Sequence, residues 1–304
     1  MTVSPKLARG VPRLFRALGR HTQDLIRIEL QTGIPALLYL MQGNENIISI
    51  RNASLMLGNR EILRDINWEV RRGENWFILG ANGAGKTSLT RMLLGLVWPK
   101  FGAEISVLGN RFGNCDIFEV RKKIAWVSPF LQNWTSSRWT AIDIVQSGID
   151  GTIGLYRKTT EKEKKKALEM MESMDSAKLA EKPFEVLSSG EQVKVLIARS
   201  MMAMPSIMIL DEACVHLDMK SREFLLEFVD SFVRKPNSPS VLFITQRIEE
   251  ILPVFSMGLV LKDGEILAAG PRKEILSDKV LLEAFDIPFK LHHSSSGRIW
   301  ITLN

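Results

Sequence analysis

Residues 74–96 read ENWFILGANGAGKTSLTRMLLGL, and this stretch decides the fold. ENWFILG is a short apolar run that ends on a glycine, as a buried strand does. KTSLTRMLLGL spaces its leucines and methionine at helical intervals, so a helix is expected over 86–96. Between them GANGAGKT, Gly80–Thr87, matches G-x-x-x-x-G-K-[ST] in full. Strand, glycine-rich loop and helix together form a phosphate cradle. The glycines let successive backbone N–H groups point inward at anionic oxygens, and the helix adds its positive N-terminal end. Gly80, Ala81, Asn82, Gly83, Ala84, Gly85, Lys86, Thr87 and Ser88 are therefore candidate phosphate contacts. Lys86 is suited to β- and γ-phosphates and Thr87 to Mg²⁺.

Working outward, 47–57 (IISIRNASLML) and 60–70 (REILRDINWEV) alternate in β fashion, with Asp65 and Asn67 expected to face away from Ile66 and Trp68. They predict an antiparallel lead-in sheet. KIAWVS (123–128), SIMILDEA (206–213) and SVLFITQ (240–246) are continuous apolar runs, the pattern of strands covered on both faces. LVLKDGEILAAG (259–270) predicts a hairpin turning at Asp263-Gly264. Residues 135–203 read as a mostly helical subdomain. The expected fold is α/β, a mostly parallel sheet preceded by an antiparallel subdomain and interrupted by a helical one.

SIMILDEA delivers Asp211 and Glu212 to the end of a buried strand, where two carboxylates are costly unless something uses them. Asp211 is placed to complete a Mg²⁺ shell, and Glu212 to polarise an attacking water. LSSGE, residues 187–191, opens a further helix with serines and backbone N–H groups, a second anion-binding arrangement. Leu217-Asp218 and the strand ending at Gln246 follow.

This order of motifs resembles the ATP-binding cassette (ABC) ATPase family across roughly residues 47–275, and the fold it implies is the P-loop NTPase core. GANGAGKT is similar to that family's Walker A, MILDE to its Walker B, LSSGE to its signature and VHLD (215–218) to its D-loop. The resemblance implies ATP as ligand with Mg²⁺ held by Thr87, Asp211 and Gln132. Catalytic roles would fall to Glu212, Gln132 and Gln246. It implies that two cassettes face head to tail, with Ser188, Ser189, Gly190, Glu191 and Asp218 meeting the nucleotide of the opposite subunit. The partner cassette would be a second copy or a sister chain, and the pair would drive a separate transmembrane permease. A weaker similarity, in 147–158 and the closing SSSGRIWITLN, is to a molybdenum-transport or photorepair-like branch.

The sequence departs from the family in several places. Leu57 stands where an aromatic residue usually stacks on adenine. Pro129 occupies the glutamine-loop position, with Gln132 the nearest glutamine. Gln246 replaces the usual histidine; an amide donates a hydrogen bond but carries neither proton nor charge. Slow hydrolysis is one expectation, ordinary turnover the other.

Composition narrows the alternatives. Two cysteines without metal-type spacing, Cys115 and Cys214, fit a reducing compartment. No apolar run approaches a bilayer span, so a cytoplasmic chain lying peripherally on a membrane through its partner is expected. Residues 1–40 hold six Lys/Arg against two acids, +4 of the chain's net +6. Residues 1–46 read as a basic extension or upstream sequence, with Met41 an alternative start. The pattern also suits a transit peptide or a membrane-surface helix. Residues 47–304 read as one ATPase domain. EKEKKK (161–166) is a solvated helix face, so no specific nucleic acid is expected. His292-His293 reads as an exposed tail pair. Trp126, Trp134 and Trp139 read equally as core or as a docking surface.

Overall fold

The computed structural model describes residues 45–134 and 139–303, with the side chains of 132–134 also outside the description. Contacts divide the chain into Met1–Asn46 and Ile47–Asn304. The basic extension thus lies outside the described residues but for its last two.

The antiparallel lead-in is a four-stranded sheet. β1 (Asn46–Leu57) and β2 (Arg60–Arg71) are neighbours, and β4 (Glu104–Val107) and β5 (Asn110–Arg111) extend it in the order β2-β1-β4-β5. Ile66 and Trp68 are buried while Asp65 and Asn67 are exposed, as the alternation requires. Trp68 meets Trp76 edge-on at 5.5 Å, joining this sheet to the next.

The central sheet runs β10-β9-β3-β8-β7-β6. Its strands are β3 (Trp76–Leu79), β6 (Ile124–Val127), β7 (Ile207–Asp211), β8 (Ser240–Thr245), β9 (Met257–Lys262) and β10 (Glu265–Pro271). All neighbours are parallel except the β9–β10 hairpin. Every residue of β3, β6, β7 and β8 is buried, as expected of a sheet covered on both faces. Three loops matter most: those leaving β3, β7 and β8 at their carboxyl ends, where such sheets bind ligands.

Helices complete the layers: α1 (Lys86–Leu93), α2 (Ile117–Lys122), α3 (Ala141–Gln146), α4 (Glu161–Ser173), α5 (Ser189–Met201), α6 (Met219–Val233), α7 (Arg272–Ile275) and α8 (Asp278–Phe285). The first ends three residues before the expected Leu96. Leu96 N donates to Arg91 O at 2.8 Å and Gly95 N to Met92 O at 3.0 Å, the closing pattern of a Schellman motif. Residues 139–203, the described part of the expected helical subdomain, are less helical than their composition suggests. Residues 151–160 hold no regular element between Gly151 and the capping box of α4 at Thr160. The helices that do form pack on one another, α5 lying against both α3 and α4.

The histidine pair is not a free tail. His292 and His293 lie in β11 (Phe289–His293), paired with β12 (Ile299–Leu303). His292 stacks on Trp300 at 5.5 Å and bonds Thr302 at 2.8 Å. The β-branched and aromatic residues after Arg298 supply the partner strand that a terminal position hides.

Candidate functional site

The Gly80–Gly85 loop leaves β3 and feeds α1. Gly85 caps the helix at φ 105°, and a Cβ there would come within 2.6 Å of Leu63 Cδ2, so only glycine fits. Lys86 is 4% exposed. Its Nζ donates to the carbonyls of Gly80 at 2.9 Å and Ala81 at 3.0 Å, and lies 3.2 Å from Glu212 Oε1. The loop thus wraps its own cation, whose three donors are held at the loop's centre rather than in solvent.

Asp211 ends β7 and is 1% exposed; among the described residues its carboxylate is poorly satisfied, with the Trp126 side chain as the donor that faces it. Burial pushes its pKa up to about 7, reinforced by the adjacent Glu212 and opposed by Lys86. A poorly satisfied carboxylate beside a buried ammonium is an expensive arrangement. Hard oxygen donors of this kind suit Mg²⁺, with Thr87 at the start of α1 as companion. The residues present therefore fit the cation that the motif implies. Glu212 takes φ 52°, uncommon for a side chain of this size, and its amide donates to Ile244 O at 2.9 Å. This kink turns the chain between the two carboxylates, leaving Asp211 buried and Glu212 at the cleft.

The cleft has a volume of about 930 Å³. One wall is the phosphate loop, with Asn82, Gly83, Gly85, Lys86, Thr87, Ser88 and Glu212. Arg60, Ile62 and Arg64 of β2, and the β9–β10 turn from Lys262 to Leu267, make the other. Sequence reasoning named the first wall and missed the second. The Asp263-Gly264 turn was legible as a turn, but β9 comes to lie against the loop only because it pairs with β3. Gly264 N donates to Ala84 O at 3.2 Å, and Arg64 N to Gly264 O at 2.8 Å.

The other named residues stand apart from this cleft. Leu57 is 44% exposed and does not line it; no aromatic side chain among the described residues does. Gln246 is half-buried just beyond β8 and does not line it either. Gln132 sits in the turn Pro129–Trp134, and its side chain lies outside the described residues, as does that of Trp134.

Ser188 caps α5 in a closed box. Its amide and hydroxyl each donate to Glu191 Oε2 at 2.9 Å, which holds the Glu191 carboxyl below its usual range. Ser189 Oγ donates to His216 O at 2.9 Å. A Cβ on Gly190 would lie 2.3 Å from Ser221 Oγ. Asp218 caps α6 by accepting from Ser221 N at 2.7 Å; the Ser221 hydroxyl and then this backbone N–H hold its pKa down. The signature and the 215–218 loop therefore meet each other, and neither lines the Lys86 cleft.

A second cavity, about 430 Å³, opens among Leu94, Phe118, Arg121, Trp126, Tyr156 and Arg199. Trp126 is buried in β6, and Trp139 packs edge-on against Tyr156 at 5.6 Å. Arg199 is 7% exposed and donates twice to Thr152 O, at 3.1 and 2.7 Å; burial lowers its pKa to about 10. Cys214 is buried and its thiol pushed up by burial, the behaviour of a packing residue rather than a reactive one.

Comparison with known proteins agrees with this arrangement. The family model described as ABC transporter matches residues 63–215. The ABC transporter ATP-binding protein YlmA of Bacillus subtilis is 41% identical over 243 residues, covering 80% of this chain and 92% of that one. The ATP-binding protein ModF of Escherichia coli is 28% identical over 233 residues, 76% of this chain and 47% of its own length. The ADP conformation of MJ1267, an ATP-binding cassette of an ABC transporter, superposes with a TM-score of 0.67 at 20% identity, covering 80% of this chain and 99% of that one. Phosphate loop, acidic strand end, signature helix and sequence likeness converge: this chain belongs to the ABC transporter family, as an ATP-binding protein with the P-loop NTPase fold.

Proposed function

We propose that the chain hydrolyses ATP as one half of a two-cassette engine and transmits the resulting closure to a separate membrane-embedded subunit. The observation that carries this reading is the division of the motifs. Lys86 and Glu212 share one cleft, while Ser188, Gly190 and Asp218 belong to a different surface that has no phosphate loop of its own. A second cassette, a copy or a sister chain, would bring its signature to this cleft.

In that reading Lys86 exchanges its loop carbonyls for the β- and γ-phosphates, and the loop amides bind the rest of the chain of phosphates. Thr87 and Asp211 would hold Mg²⁺, with Gln132 a further ligand, and the cation would screen phosphate charge. Glu212, released from Lys86, polarises the attacking water. Gln246 donates its amide N–H₂ toward the terminal phosphate. Ser188, Ser189, Gly190 and Glu191 of the opposite cassette close the site, so that turnover depends on closure. The apolar cavity beside Trp126 and Tyr156 is the surface on which the membrane subunit would sit, placing the chain peripherally at a cytoplasmic face. No helix among the described residues is long and apolar enough to cross a membrane.

A second reading, a module that binds ATP and turns it over slowly, is favoured by exposed Leu57 and by glutamine at 246. A soluble ABC ATPase without a transporter is the remaining alternative. Glu212→Gln separates the first two: with Mg-ATP it should form a stable dimer by light scattering, while wild type should cycle back to monomer. Equal dimer lifetimes in both would favour the slow module. Copurification with a transmembrane permease from solubilised membranes, against soluble partners alone, decides the third.

A further inference from the structure

The C-terminal hairpin touches the turn that carries Gln246. Beyond β8 the chain makes a tight turn: Arg247 N donates to Thr245 Oγ1 at 2.9 Å, and Thr245 Oγ1 donates to Glu250 Oε2 at 2.5 Å. Glu250 is 4% exposed, with its pKa raised by burial, so this carboxyl is committed to the turn. Ile248 and Ile251 anchor it in the core.

Arg298, immediately before β12, reaches the turn and α6 together. Its Nη1 lies 2.5 Å from Glu223 Oε2, and its Nη2 lies 3.3 Å from Glu223 Oε1 and 3.3 Å from Glu249 O. Glu223 is on the helix that Asp218 caps. The hairpin tip is itself fastened: Arg272 Nη2 donates to Gly297 O at 3.0 Å, Arg298 N to Ser294 Oγ at 3.0 Å, and Ile299 is 2% exposed. A planar guanidinium with two-point contact to a carboxylate and a third to a carbonyl fixes three elements in one plane.

We propose that Arg298 is a positioning residue for the nucleotide site, tying the Gln246 turn to α6 through Glu223 and the Glu249 carbonyl. It touches no nucleotide and acts through Gln246 and Asp218; the proposal rests on the reading that these two residues serve ATP hydrolysis. The last strand of the chain thereby sets the geometry of residues far from it in sequence.

The test uses the full chain carrying Arg298→Ala, Arg298→Lys, the exchange Glu223→Arg with Arg298→Glu, and Ile299→Ala. Hydrogen–deuterium exchange and steady-state ATPase kinetics are measured well below each variant's melting temperature. Arg298→Ala should speed exchange at Arg247–Leu252, leave β3 and β7 unchanged, and lower kcat about tenfold with KM within about twofold, since loss of orientation is felt in the chemical step. Arg298→Lys should recover only part; the charge exchange restores the ion pair with position 223 but sets a carboxylate against the Glu249 carbonyl, so it should leave kcat as low as Arg298→Ala does. Ile299→Ala loses buried packing but keeps the ion pair, so it should lower thermal stability and leave kcat intact. Faster exchange without a fall in kcat, or a kcat loss in Ile299→Ala matching that of Arg298→Ala, overturns the proposal. If Lys86→Ala hydrolyses ATP like wild type, the nucleotide reading itself fails, and that failure is visible apart from the Arg298 results.

Discussion

Replacing Asp211 with asparagine should make the protein more stable at pH 8 while destroying its turnover. The carboxyl is 1% exposed and poorly satisfied, and burial pushes its pKa up to about 7 from the usual 3.8, against the pull of Lys86 and Trp126. A raised folded-state pKa means that Asp211 favours the folded chain most when protonated. Its contribution is fully present below about pH 4 and is lost as pH rises through about 7. Three units correspond to about 4 kcal/mol in all, of which about 3 kcal/mol falls between pH 5 and pH 8. Asparagine carries no charge at either pH, but its N–H₂ finds no acceptor and costs about 1–3 kcal/mol at both. Urea unfolding without nucleotide should therefore show Asp211→Asn no more stable than wild type near pH 5 and more stable at pH 8. The difference between the two conditions should be about 3 kcal/mol. Adding Mg-ATP at pH 8 should reverse the order, because only the carboxylate gains from the cation. A variant destabilised equally at both pH values would refute the reasoning, since it would mean that Asp211 is ionised and satisfied in the folded chain.

Gln246→His should raise kcat at saturating ATP, because imidazole adds a proton-carrying group where the amide offers only a donor; unchanged turnover removes glutamine as the reason for slow hydrolysis. Gly190→Ala should abolish ATP-dependent dimerisation and leave ATP affinity of the single chain within about twofold, because the methyl meets Ser221 Oγ and displaces the start of α5, not the Lys86 cleft. Adding Ser221→Gly should restore the dimer in part, and analytical ultracentrifugation with and without ATP reads both.

The parts of this molecule that were legible in its sequence are those whose chemistry is local. The strand, loop and helix around Lys86 are contiguous, and the Asp211-Glu212 pair announces itself by breaking an apolar run. The capping boxes at Ser188 and Thr160 likewise depend on residues three apart. What stayed hidden depends on pairing between distant segments. The second wall of the cleft needs β9 beside β3, a choice made by competition among several equally apolar strands. Residues 151–160 fall within the stretch expected to be mostly helical, yet Gly151 and Gly154 sit at φ 69° and 91°, outside helical space. The bond between Arg298 and Glu223 joins positions 75 apart, and nothing in either local sequence signals it.

The Asp263-Gly264 hairpin tip has a practical consequence for anyone altering the chain. Tight turns are ordinarily the safest places to splice in a tag, a fluorophore site or a foreign loop. This one is closed on every side: its amide is bonded to Ala84, its carbonyl to Arg64, and a Cβ at Gly264 would be 2.4 Å from Ile62 O. A single inserted residue would press on the wrap that holds Lys86. At Gly113, in the bend between β5 and α2, an added Cβ would meet nothing within 4 Å among the described residues, so that bend has the room this tip lacks.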